Sequence, residues 1–265
     1  MTATDVTATD PTATGVADVA SAGAVPVNAS GPAADRARLV EEATLDAAHG
    51  FRTLRETGTL PDGATIGLLE RVPGEPVALA FRAGGPGLVA GGALTPTERP
   101  LGGSPVADDA GGPADDDTRG LEAVLARHPD LTTVVYVRSP HLVAWAQTKR
   151  PLPIRYVPVQ RWTLARELPI RTDPARSLAD AIDDALAAEP HTPAILDAGG
   201  GAVVWGRNGL LRTLEYLQLV EEGAQFQILA QQLGGSKPVG PGVLVQQWRM
   251  SGLIDRARAE GRLDD

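Results

Sequence analysis

The chain of 265 residues has no cysteine. That absence removes disulfides, thiolate metal sites and thiol nucleophiles together. Histidine is scarce: His49, His128, His141 and His191 are the four, and none stands two or four residues from another. No local pair of imidazole ligands exists. The chain also lacks a G-x-S-x-G nucleophile turn and a G-x-G-x-x-G turn opening a helix after a strand, so neither a hydrolase elbow nor a dinucleotide fold is written in it. Positive charge is in deficit, with 24 Lys and Arg against 33 Asp and Glu and a net charge of −9. Without basic clusters or interleaved aromatics, nucleic acid and anionic membrane are poor partners. No apolar run reaches the roughly 18 residues of a membrane span, and residues 1–34 have neither the basic start nor the apolar core of a signal peptide. The expected address is cytoplasmic. What is present is 43% hydrophobic residues, enough for a sizeable core.

Residues 1–34 are built of Thr, Ala, Asp, Val, Gly and Pro, with variants of T-A-T-D recurring. They carry too little apolar surface to offset their ordering entropy, which predicts a disordered N-terminal arm before a single domain at 35–265. Leu39, Ala43, Ala47, Phe51 and Leu54 recur at helical spacing, predicting an amphipathic helix that ends near Gly58. Ala64 to Glu70 and Val77 to Arg82 read as strands around the turn at Pro73-Gly74. Ala93 to Thr118 reads as a long loop, and Leu121 to His128 as a helix. Pro174 and Ser177 open another helix, which ends at Glu189-Pro190. Two short strands follow around Gly199-Gly200-Gly201, then a helix from Gly209 to Leu233 and a tail from Val243 to Leu263. The structure of the segment at Arg161-Trp162 is not legible.

The centre is Leu131 to Trp145, L-T-T-V-V-Y-V-R-S-P-H-L-V-A-W. A β-branched run of strand length meets Arg138-Ser139-Pro140, after which Leu142, Val143 and Trp145 resume at helical spacing. Tyr136 and Arg138 are two apart and share a face. They stand at the carboxyl end of a strand, where α/β proteins usually place ligands.

This stretch resembles the V-V-H-x-H-S-P segment of the class II aldolase/adducin family, fuculose-phosphate-aldolase-like, in which strand histidines hold zinc. The resemblance implies a three-layer αβα sandwich with a mixed central sheet, and it implies a homo-oligomer, a tetramer. The two strand histidines correspond to Tyr136 and Arg138. The family's N-H-G-x-x-x-x-G corresponds to the glycine turn and ends at Gly206, so Gly200 stands at the third histidine. All three zinc-ligand positions are replaced, and neither metal nor other cofactor is expected. The family's phosphate-cradling turns correspond to Gly63-Ala64-Thr65-Ile66 and Arg82-Ala83-Gly84-Gly85, which have lost most of their donors; ordinary glycine turns are the plainer reading. Its P-S-S-E corresponds to Ala114-Asp115-Asp116-Asp117, placing Asp117 at the catalytic base. Three carboxylates would repel a phosphate dianion. Within Lys149-Arg150-Pro151-Leu152-Pro153-Ile154-Arg155-Tyr156, Tyr156 corresponds, after a one-residue gap, to the end of a Pro-x-Ile-x-Tyr run whose tyrosine donates a proton across a subunit boundary. Glu221 and Ala224 correspond to E-x-x-A in the late helix.

The residues left at the site suggest a chemistry of their own. A guanidinium is permanently charged and offers a planar fork to an oxyanion or carboxylate, so Arg138 is placed to stabilise charge where the family has its dication. Tyr136 and Tyr156 would donate hydrogen bonds or protons, and Asp117 would act as base. His141, Gly200, Trp205 and Trp248 complete the candidate substrate-binding set. The competing reading makes Arg138 a staple ion-paired to Asp117 or Asp197, Tyr156 a core tyrosine, and the tail helix with Trp248 simple packing. Two functions follow. One is a metal-independent lyase, cyclase or isomerase of bacterial specialised metabolism acting on a non-phosphorylated carbonyl or carboxylate compound. The other is a non-catalytic adducin-like scaffold.

Overall fold

The computed structural model describes residues 32–84, 94–102, 118 and 120–263. The first helix, α1 (Pro32–Glu56), takes in the last three residues assigned to the arm. A meander follows: β1 (Thr65–Arg71), β2 (Val77–Gly84) and β3 (Thr97–Pro100). Then come α2 (Leu121–Arg127), β4 (Thr133–Arg138) and α3 (Pro140–Ala146). The middle of the chain holds β5 (Leu152–Pro153), α4 (Val157–Gln160), β6 (Glu167–Leu168) and β7 (Ile170–Arg171). The remainder is α5 (Leu178–Ala188), β8 (Ala194–Asp197), β9 (Gly201–Gly206), α6 (Leu210–Gln232), α7 (Pro241–Met250) and α8 (Ile254–Ala259).

Seven strands form a mixed sheet in the order β3-β2-β1-β4-β9-β8-β7, antiparallel throughout except for the parallel pair β7 and β8. The period of two along β4 sorts its side chains between two cores. Val135 and Val137 join α1, α3 and α6 on one face, through Ala47, Leu142 and Leu217 among others. Val134 and Tyr136 join α2 and α5 on the other, through Val124, Leu125 and Ile182. This is the three-layer sandwich, with β4 buried on both sides and therefore apolar almost without interruption. A third cluster, with Leu244, Trp248 and Ala257 around Leu164, seats the tail. Among the described residues, no helix is long and apolar enough to cross a membrane.

The helix after β4 is held at its start by a carboxylate from another element. Ser139 is its N-cap, yet it makes no side-chain cap bond of its own. Glu221, buried on α6, accepts from the backbone N–H of His141 at 2.8 Å and of Leu142 at 3.0 Å, and from Ser139 Oγ at 2.6 Å. The orphan amides of a helix start are thus satisfied by a charge the helix dipole favours.

Candidate functional site

Four strand ends converge where β4 finishes. Tyr136 Oη donates to Asp197 Oδ2 at 3.0 Å. Arg171 grips the same carboxylate from the neighbouring parallel strand, Nε at 3.1 Å and Nη2 at 3.0 Å. The register pairs Arg171 with Asp197 directly, which sets the contact. Arg138 lies over the Tyr136 ring with its guanidinium carbon 5.6 Å from the centroid, within cation–π range. Tyr136 and Asp197 are buried whereas Arg138 is exposed. The outcome is a charged platform at the surface resting on a ring that a buried ion pair fixes from below.

Glycine makes this packing possible. A Cβ on Gly201 would come within 2.8 Å of Tyr136 Cζ and Oη and 2.9 Å of the Val137 carbonyl, so no larger residue fits opposite the tyrosine. Gly200 has φ of +102°, a conformation that side chains rarely adopt, although space around it is open.

The register also identifies a residue that the sequence reading passed over. Thr65 is directly opposite Arg138 across the β1–β4 ladder, so both side chains leave the same face. Its Oγ1 is buried and has no hydrogen-bond partner. Ala64, within the turn that resembles a phosphate cradle, precedes the strand. The signal for Thr65 lay in the alternation of β1, where Ile66 and Leu68 enter one core and Leu69 enters the other.

The other expected site residues are dispersed. Asp117 lies outside the described residues, with Asp115 and Asp116. His141 is tied through Nδ1 to Glu221 Oε1 at 2.8 Å, which spends it on the α3–α6 junction. Tyr156 donates to Glu222 Oε2 at 2.8 Å and meets the Phe226 ring at 5.2 Å between centroids. Burial first, and Glu222 second, push its hydroxyl up to about 12. It packs with the α1, α3 and α6 layer, on the opposite side of the sheet from Tyr136, so one chain does not bring the two tyrosines together. Trp205 is buried against α2 and α5. Trp248 is fully buried, its Nε1 donating to the carbonyls of Gln160 at 3.0 Å and Thr163 at 3.1 Å, because it pins the tail to α4. Neither tryptophan reaches the platform as a substrate contact. Of the two acids that the competing reading offered to Arg138, Asp197 pairs instead with Arg171, a residue with no motif around it.

A zinc ion is what the family resemblance implies for positions 136, 138 and 200, and the residues there do not fit one. Tyr136 commits its hydroxyl to Asp197, Arg138 is a permanent cation and Gly200 has no donor. Among the described residues, no group of three or more His, Asp or Glu side chains stands close enough to hold a metal.

Residues 98–228 match the family model described as Class II Aldolase and Adducin N-terminal domain. None of the curated proteins matches the chain. Among solved structures, an aldolase II superfamily protein from Pseudomonas syringae aligns with TM-score 0.58 at 18% identity, covering 84% of this chain and 91% of that one. The L-fuculose 1-phosphate aldolase from Glaciozyma antarctica aligns with TM-score 0.55 at 15% identity over 88% of this chain and 90% of that one. The same enzyme from Thermus thermophilus gives 0.53 at 20% identity, covering 76% of this chain and all of that one, 100%. At these identities the likeness is one of fold.

Proposed function

We propose that this chain, whose residues 98–228 match the aldolase II family model, is a metal-independent enzyme acting on a non-phosphorylated carbonyl or carboxylate compound. The observation that carries the reading is Arg138 stacked on Tyr136, itself fixed by Asp197 and Arg171. A guanidinium so oriented is preorganised to receive the oxyanion of an enolate or a carboxylate, and preorganised charge is what lowers such barriers. The reaction class is an aldol addition or retro-aldol cleavage, or a cyclisation or isomerisation of the kind that passes through an enolate. Tyr136 supports the platform, Thr65 offers a hydroxyl beside it, and Asp117 is the base by resemblance. The turn Gly63-Ala64-Thr65-Ile66 and the three aspartates at 115–117 argue against a phosphorylated substrate.

Tyr156 serves as proton donor only to a neighbouring copy, so this role requires the homo-oligomer, a tetramer by resemblance. The exposed Phe226 and Leu229 beside it favour such a boundary. Light scattering on the purified chain tests it, and a monomer removes Tyr156 from the mechanism.

Exchange of α-protons in deuterated water, followed by NMR with hydroxyacetone and pyruvate, tests the chemistry. The reading expects exchange that survives a chelator and is lost in Arg138→Lys. Exchange abolished by the chelator would refute metal independence. The second reading, a non-catalytic adducin-like scaffold, is favoured by the burial of Tyr136 and Asp197. It expects no exchange with either compound.

A further inference from the structure

The strand ladders line up two rows of residues on the sheet face that carries α2 and α5. Along one row, Arg82 of β2 is opposite Gly67 of β1, and Gly67 is opposite Tyr136 of β4. Along the next, Thr65 is opposite Arg138. The alternation of β2 fixes the face: Ala78 and Ala80 join Val134 and Tyr136 in one core, and Arg82 is the next residue in that series. We infer that Arg82 is a second substrate-binding residue, and that the compound held at Arg138 is a keto dicarboxylate whose far carboxylate Arg82 receives. The inference rests on the enolate reading of Arg138 above and adds the other end of the substrate.

Spacing selects this class of compound. Neighbouring strands lie about 4.8 Å apart and their side chains stand roughly perpendicular to the sheet, so two positions of one row separated by one strand are about 10 Å apart. Arg138 rests over the Tyr136 ring, its guanidinium carbon 5.6 Å from the centroid, which holds its charge over β4. Gly67 has no side chain, so backbone alone floors the interval between β4 and Arg82. A single anionic group gripped by both arginines would need each guanidinium within about 2.9 Å of it, whereas two carboxylates at the ends of a short carbon chain bridge the interval.

Charge agrees with spacing. Among the described strand residues at this end of the face, Arg82, Arg138 and Arg171 stand with one carboxylate, Asp197, and Arg171 already holds that carboxylate at 3.0 Å. The chain as a whole has a net charge of −9, so this concentration of cations runs against its composition. Arg82 and Arg138 are both exposed to solute. A guanidinium carries five N–H donors in a fixed fork, enough to hold a carboxylate bidentately beside any other contact it makes. A monocarboxylic compound engages one of the two arginines, and a dicarboxylic compound engages both.

Proton exchange in deuterated water, followed by NMR at low ionic strength, compares 2-oxoglutarate with 2-oxovalerate, the keto acid of the same length that lacks only the far carboxylate. Exchange takes a proton from C3, leaves its electron pair as the enolate with the charge on the C2 oxygen, and returns a deuteron to C3. The expected KM for 2-oxoglutarate is at least about tenfold below that for 2-oxovalerate. Arg82→Gln should bring the two values within about twofold of each other, with Arg82→Lys in between because it keeps the charge and loses the fork. Equal KM values in the wild-type protein would overturn the inference and leave the enolate reading standing.

Calorimetry with glutarate and pentanoate reads the same site without turnover, so it decides the matter even where no exchange occurs. Glutarate should bind at least about tenfold more tightly, and Arg82→Gln and Arg138→Gln should each remove most of that advantage. Equal binding of the two acids would overturn the inference, as would a preference for glutarate that survives Arg82→Gln. Inorganic phosphate binding more tightly than glutarate would assign Arg82 to a phosphoryl group and overturn it too.

Discussion

The hydroxyl of Tyr136 and the carboxylate of Asp197 are joined at 3.0 Å between strands 61 residues apart in the chain. Arg171 holds the other side of that interaction, so removing the acid strands a guanidinium that is only 14% exposed. Asp197→Ala should therefore cost about 3 to 5 kcal/mol in urea denaturation, and Tyr136→Phe only about 1 kcal/mol. Equal costs for the two variants would mean that the ion pair does not anchor the network.

Arg138 behaves differently because it is exposed. Its stacking on Tyr136 is worth about 0.5 to 1 kcal/mol at a surface site, so Arg138→Ala should unfold at nearly the wild-type urea concentration. Arg138→Lys keeps the charge and loses the fork, and the proposed enolate chemistry should slow on the order of a hundredfold. A large stability loss in Arg138→Ala would make it a staple after all.

Glu70 gives the protein a pH dependence of definite sign. Burial, with Asp46 adding to it, pushes the carboxyl up to about 7, although a hydrogen bond from Thr133 acts in the other direction. The folded chain then holds this proton to higher pH than the unfolded chain. Stability from this site is complete below the ordinary glutamate pKa of 4.5 and is lost as pH rises through about 7. Glu70→Gln should match wild type near pH 4 and exceed it by about 2 to 3 kcal/mol near pH 8, read from denaturation midpoints. A pH-independent difference would exclude the linkage.

Thr65→Val tests the hydroxyl opposite Arg138. With no partner in the free protein, its loss should leave stability unchanged or raise it by up to about 1 kcal/mol. If the hydroxyl meets substrate, the same variant should raise KM for whichever compound shows α-proton exchange. Destabilisation together with unchanged KM would make Thr65 a structural residue.

The sequence shows the fold wherever an apolar run is long and bounded. β4 with α3, and β8 with β9 around the glycine turn, were legible because burial on both faces leaves an uninterrupted apolar signature. β3 lies inside the stretch whose composition predicts a loop, because T-E-R-P is an edge strand of four residues with one neighbour and little burial. α4 is a single turn, too short for any periodicity. At the site, Tyr136 and Arg138 were visible by spacing alone. Arg171 was not, since β7 is two residues long and its carboxylate partner is 26 residues away. Glu221 is visible through its motif, but that it caps α3 depends on helix packing across 79 residues.

The order of strands also bears on when the chain can fold. β1 with β2, and β8 with β9, are hairpins that close locally. β4 between them finds both of its neighbours far off: Thr133 pairs with Glu70 on one side and Gly206 on the other. Loop closure of that length must precede the contacts that reward it. On the ribosome, the first hairpin has to wait, one apolar face open, until the glycine turn has emerged and β9 can seal the sheet. A nascent chain halted before Gly199 would leave unpaired the β4 edge that β9 covers, the kind of edge that invites pairing with another chain.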